Sequence, residues 1–346
     1  MSGARLPIPS HFKPETVGQV WRVPYLDRSS EAQKWAQQYH LSPASRDRTR
    51  VGLLLIDVQN TFCIPGFELF VGGRSGNAAV EDNQRLCEFI YRHLNVITEI
   101  IPTMDTHTAM QIFHPMFWVN DRGEHPPEWS VLELVDIERG TWRISPEVVP
   151  YLPPDLDAAA YARHYVGQLT QAGKYPLTIW PYHAMLGGIG HALVSAVEEA
   201  CFFHSVARCY PTRYELKGDR TLTENYSVLR PEVLDRPDGK PIAPRNTALL
   251  DRLLAFDVLI VAGQAKSHCV AWTLADLCEE IQQRNPDLAR NVYLLEDCTS
   301  AVVVPDVVDF TDLANEAFDR FEKAGMHRVR SIDSMETWDG IDAVLG

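Results

Sequence analysis

Apolar residues in this chain gather into short unbroken runs that end on a polar or acidic residue. VGLLLID (51–57), VITEIIPTMD (96–105), FDVLIVAG (256–263) and NVYLLED (291–297) all have this form, and HRVRSID (327–333) is a weaker version. Such runs are the mark of strands buried on both faces, as in a parallel sheet. Between them the period changes to that of a helix. Leu86, Phe89, Ile90, Leu94 and Ile97 share one stripe, as do Val270, Leu274, Leu277 and Ile281 of a predicted helix 269–284; a further helix fits 311–325. Strand and helix in alternation predict a three-layer α/β/α fold with a mainly parallel, Rossmann-like sheet.

Two segments break this rhythm. Residues 1–48 hold scattered prolines and one helical stretch, SSEAQKWAQQYH, but no strand, and read as an N-terminal arm on the main domain (49–346) or on a neighbouring subunit. Residues 115–179 are rich in proline and tryptophan, including Trp118, Pro126, Trp129 and Trp142. They read as a long insertion with short elements of its own. Its start beside Asp105 predicts that it walls a pocket or meets another subunit.

The formal charge of −14 over 346 residues, without a basic tract, argues against nucleic acid or anionic membrane as a partner. No apolar run approaches a membrane span, and the first residues lack a secretory core. Seven scattered cysteines without a CxxC pair argue against a disulfide framework, so a reducing, cytoplasmic setting is expected.

In open α/β sheets ligands bind beyond the carboxyl ends of the strands. Asp57, Asp105 and the loop after Gly263 lie there. Cys269 sits at a predicted helix start, where N–H groups would lower its pKa and favour a nucleophilic thiolate, or it is a small buried residue. Asp57 could take a proton from a nucleophile or cap a turn. Asp105 and His107, with His183 further on, offer carboxylate and imidazole ligands for zinc, iron or manganese, although each alone is also an ordinary polar residue. Lys217 reads as part of a polar loop, solvated unless it is buried beside Asp57 and Cys269.

Taken in order, these residues resemble the isochorismatase-like cysteine hydrolases, and the nicotinamidases most of all. The likeness runs from about Val51 to Ser331. It covers LLLIDVQNTF with Gly66 and Gly72–Gly73, Asp105-x-His107, Trp180-Pro181-x-His183, Lys217-Gly218 and the turn from Gly263 to Val270. The resemblance implies a catalytic triad of Asp57, Lys217 and Cys269, and one divalent metal (zinc first, iron or manganese as alternatives) on Asp105, His107 and His183. It implies that Phe62 and Trp180 flank a flat substrate, that the Gln264–Ala265 peptide is cis, and that the N–H groups of Ala265 and Cys269 form an oxyanion hole.

The implied activity is hydrolysis of a small aromatic primary amide by a homo-oligomeric enzyme. A ureido or carbamoyl substrate, or a catalytically silent binding protein, is the alternative. Ala184 stands where nicotinamidases carry cysteine, Lys266 and Ser267 where Thr-Asp is common, and Gln111–Ile112 where many have His-Ile. An altered substrate-facing shell is therefore expected.

Overall fold

The computed structural model describes residues 5–341. Six strands form the central sheet: β1 (Val51–Ile56), β2 (Glu99–Asp105), β3 (Glu215–Lys217), β4 (Val258–Gly263), β5 (Val292–Leu295) and β6 (His327–Val329). Their order is β6-β5-β4-β1-β2-β3, and every pairing is parallel. Strand β1 lies at the centre, with Leu53 opposite Ile100 on one side and Ile260 on the other.

The unbroken apolar runs follow from burial on both faces. In β1, Leu53 and Leu55 enter one apolar cluster while Leu54 and Ile56 enter another, the two-residue alternation of a strand between two helical layers. The first layer holds α2 (Ala78–Arg92) and α4 (Ser195–Arg208). The second holds α5 (Thr247–Leu253), α6 (Ala271–Arg284) and α7 (Thr311–Lys323). Helix α1 (Tyr25–Gln38) of the arm lies on the outside of α4. Ser195 Oγ accepts from Trp21 N at 2.9 Å and donates to Trp21 O at 2.8 Å, and Arg28 pairs with Glu199 at 2.6 Å.

The 115–179 segment is more than short elements. Its α3 (Ala158–Gln171) presents Tyr161, Tyr165 and Leu169 to a third apolar cluster with Trp118, Leu132 and Ile144. Among the described residues no helix is long and apolar enough to cross a membrane.

One element differs from the sequence reading. Lys217 ends an edge strand and does not lie in a loop. Strand β3 has three residues, and Leu216 is exposed, so no apolar run marks it.

Candidate active site

The ends of β4, β1, β2 and β3 lie side by side and carry the candidate residues in one place. Asp57 follows β1, while Asp105 and Lys217 close β2 and β3 as direct partners in the ladder. Gly263 closes β4 at φ +122°, so near Ile56 that an added Cβ would stand 2.1 Å from its carbonyl oxygen. Only glycine lets the chain turn there towards Cys269.

Lys217 Nζ is the hub. It lies 2.8 Å from Asp105 Oδ1, 3.0 Å from Asp57 Oδ2 and 3.6 Å from Cys269 Sγ, and it donates to the Asn225 carbonyl at 2.8 Å. Burial alone would lower its pKa. The facing carboxylates of Asp105 and Asp57 outweigh that and raise it well above the ordinary lysine value. Asp57 is fully enclosed, and burial raises its pKa against the pull of Lys217.

Cys269 fits part of each of its two readings. It lies in a single π-helical turn, Lys266–Val270, ahead of α6, and is buried. Burial pushes the thiol well above its usual range despite Lys217, opposite to the lowering that a helix start would favour. The Gln264–Ala265 peptide is cis. Ala265 and Cys269 both line the adjoining cavity.

Asp105, His107 and His183 bring one ligand atom each within 4.8 Å of one another. His107 Nδ1 faces the Gly218 carbonyl at 3.0 Å, and His183 Nδ1 faces that of Pro181 at 2.8 Å. These carbonyls place the ring protons on Nδ1. The bare Nε2 atoms then face Asp105 Oδ2, at 2.8 Å for His107 and 3.6 Å for His183. Lone pairs crowded in this way suit a cation, so the donor set fits a divalent metal. Gly218 makes room for it: at φ +82°, a Cβ there would lie 2.7 Å from Asp105 Oδ1 and 2.8 Å from His107 Cε1.

A cavity of about 280 Å³ adjoins Cys269 and Asp105. Phe62 and Trp180 line it, and Trp129 is the one residue from 115–179 that reaches it, edge-on to Trp180 with ring centroids 5.3 Å apart. None of the departures noted in the sequence lines this space, although Ser267 Oγ meets His268, which does, at 2.8 Å. Gln111 clamps the Gly218 and Arg220 carbonyls, Ala184 accepts from His107 N, and Lys266 turns away to Glu296. Of the expected changes, only the one at Ser267 therefore bears on the substrate-facing shell.

Several residues at the site were not anticipated. Thr103 donates to Asp57 Oδ1 at 2.5 Å, and Gln59 brackets the Asp105 backbone from both sides. Glu224, Asn225, Tyr226 and His268 line the cavity. Thr103 had a signal, being a polar residue two places before Asp105 and so on the same strand face. The spacing of Glu224 and His268 held none.

Compared with solved structures, the chain superposes on the yeast nicotinamidase bound to the inhibitor nicotinaldehyde with a TM-score of 0.50. Identity is 16%, over 81% of this chain and 99% of that one. A nicotinamidase/pyrazinamidase of Acinetobacter baumanii gives a TM-score of 0.48 at 17% identity, over 83% of this chain and 98% of that one. No family sequence model matches the chain, and no curated protein matches it by sequence. The architecture is the isochorismatase-like α/β fold of the nicotinamidases.

Proposed function

We propose that this chain is a metal-assisted cysteine amidohydrolase that converts a small aromatic primary amide to acid and ammonia through a thioester. One observation carries the reading: Lys217 Nζ joins Asp57 and Cys269 at the head of an aromatic-lined cavity. Asn225 adds support, because its Oδ1 is buried without a hydrogen bond among the described residues. A primary amide N–H is a donor of the kind that would satisfy it.

With the thiol held neutral, Asp57 takes the Cys269 proton as Sγ attacks the amide carbon. A C–S bond forms, and the N–H groups of Ala265 and Cys269 hold the oxygen that gains charge. Asp57 returns the proton to the nitrogen, the C–N bond breaks and ammonia leaves. Asp57 then draws a proton from water as it attacks the thioester, and Sγ departs with that proton. Lys217, kept cationic, balances Asp105 and the charge that passes between Asp57 and Cys269. Asp105, His107 and His183 would hold the divalent ion, which when bound supplies Lewis-acid pull on the substrate.

Ammonia release from nicotinamide, pyrazinamide, benzamide and an N-carbamoyl amino acid tests the proposal. Turnover of a ring amide that is lost in Cys269→Ala is expected. Turnover of the carbamoyl compound alone would replace the amide reading with the ureido one, and equal activity in Cys269→Ala would remove covalent catalysis.

A further inference from the structure

The cavity is larger than a bare ring requires. An apolar cavity of about 150 Å³ already holds benzene, against about 280 Å³ here. The surplus is not wholly apolar, because two buried polar side chains face it beside Trp180.

Glu224 is the first. Its Oε2 accepts from Trp180 Nε1 at 3.2 Å, and no hydrogen bond engages Oε1 among the described residues. Burial, with Asp105 and Glu232 nearby, raises its pKa well above the carboxylate range, which Lys217 only partly opposes. A neutral carboxyl whose Oε2 is the acceptor carries its proton on Oε1.

His268 is the second, with its ring centroid 5.7 Å from that of Tyr226 and 6.2 Å from that of Trp180. Ser267 Oγ accepts from Val302 N at 3.1 Å and lies 2.8 Å from His268 Nδ1. No other acceptor for the Ser267 hydroxyl is present among the described residues, so it donates to Nδ1 and leaves the ring proton on Nε2. That nitrogen has no partner among the described residues. Both side chains thus offer the cavity a donor.

We propose that the substrate is an aromatic amide whose ring bears a second, uncharged hydrogen-bond acceptor, such as an oxo or acyl oxygen, bound by Glu224 and His268. This rests on the amidase reading and narrows its substrate class. A site with two buried donors discriminates against a ligand that leaves them unpaired.

The test compares two matched pairs, 4-acetylbenzamide with 4-isopropylbenzamide and the corresponding 3-substituted compounds. The members of each pair are alike in shape, and only the acetyl group has an acceptor. Calorimetric binding to Cys269→Ala, which cannot turn over, is measured first. At least tenfold tighter binding of the acetyl compound is expected in one pair. Glu224→Gln, which keeps a donor and an acceptor, should preserve that preference. Glu224→Leu and His268→Phe, each in the Cys269→Ala background, should reduce it towards unity.

Equal binding within both pairs, no binding of any of the four, or a preference that survives both of the last variants would overturn the proposal. Ammonia release by the unaltered protein is scored separately. Preference without hydrolysis of any amide would sink the amidase reading and leave the recognition standing.

Discussion

Thr103 and Asp57 exchange two hydrogen bonds across neighbouring strands: Asp57 N donates to Thr103 Oγ1 at 3.0 Å, and that hydroxyl donates to Asp57 Oδ1 at 2.5 Å. The second bond stabilises the ionised carboxylate against burial, which raises its pKa. Thr103→Val keeps the shape and removes the donor, so the Asp57 pKa should climb further. The acidic limb of kcat/KM should move up by about one pH unit, with kcat at its plateau down by roughly tenfold or less. An unmoved limb would mean that Asp57 is not the group titrating there.

Lys217 and Cys269 should separate stability from chemistry. Lys217→Met leaves Asp57 and Asp105 buried without their shared cation, and removing one partner of such a cluster costs about 3–5 kcal/mol. Cys269→Ala deletes only a thiol and should stay within about 1 kcal/mol of the parent in urea unfolding. Equal stability of the two variants would contradict the charge arrangement.

Gly218→Ala should act on the proposed metal ligands without replacing any of them. The new methyl group meets Asp105 Oδ1 and His107, and the backbone there is left-handed. Elemental analysis and chelator competition should show metal affinity reduced by about 10- to 100-fold, as for losses around the ligands of other metal sites. His183→Ala should lose the ion altogether. Parental affinity in Gly218→Ala would show that the ligands tolerate displacement.

His204 sets a pH dependence of stability. It is buried, its Nε2 donates to the Ile97 carbonyl at 2.9 Å, and burial lowers its pKa to about 4. Above the unfolded value of 6.5 both states are neutral and the residue contributes no pH dependence. As pH falls from there towards 4 the unfolded chain binds a proton that the native chain does not, so stability is lost. At pH 5 this one group accounts for about 2 kcal/mol. His204→Gln should lose less stability between pH 7 and pH 5 than the parent by about that amount, and parallel curves would refute the assignment.

The sheet was legible because β1, β2, β4 and β5 are covered on both faces, and full burial writes unbroken apolar runs. Strand β3 was not, since it sits at the edge with Leu216 in solvent. The segment 115–179 was legible as a departure from the rhythm, but its own apolar cluster rests on contacts with residues such as Leu222 and Val233 far along the chain. At the site, residues on strand ends stood out because a polar group after a buried run has little else to do. The direction in which the Cys269 pKa moves was not legible, because helix position is local while burial is set by the whole fold. Glu224 and His268 are polar residues without a marked spacing in the sequence, and only their burial against the cavity makes them unusual.

The net charge of the chain bears on the direction of the proposed reaction as well as on its rate. On the amidase reading a neutral amide enters and neutral ammonia leaves, while the other product is an anion. It is formed beside the Lys217 cation that offsets Asp57 and Asp105, in a protein whose net charge is −14. The field of the whole chain, indifferent to the substrate, therefore opposes return of the acid from solution, most strongly at low ionic strength. On that reading the net charge of the chain, not the paired groups at its centre, disfavours product return, and rebinding of the acid should strengthen as salt is added.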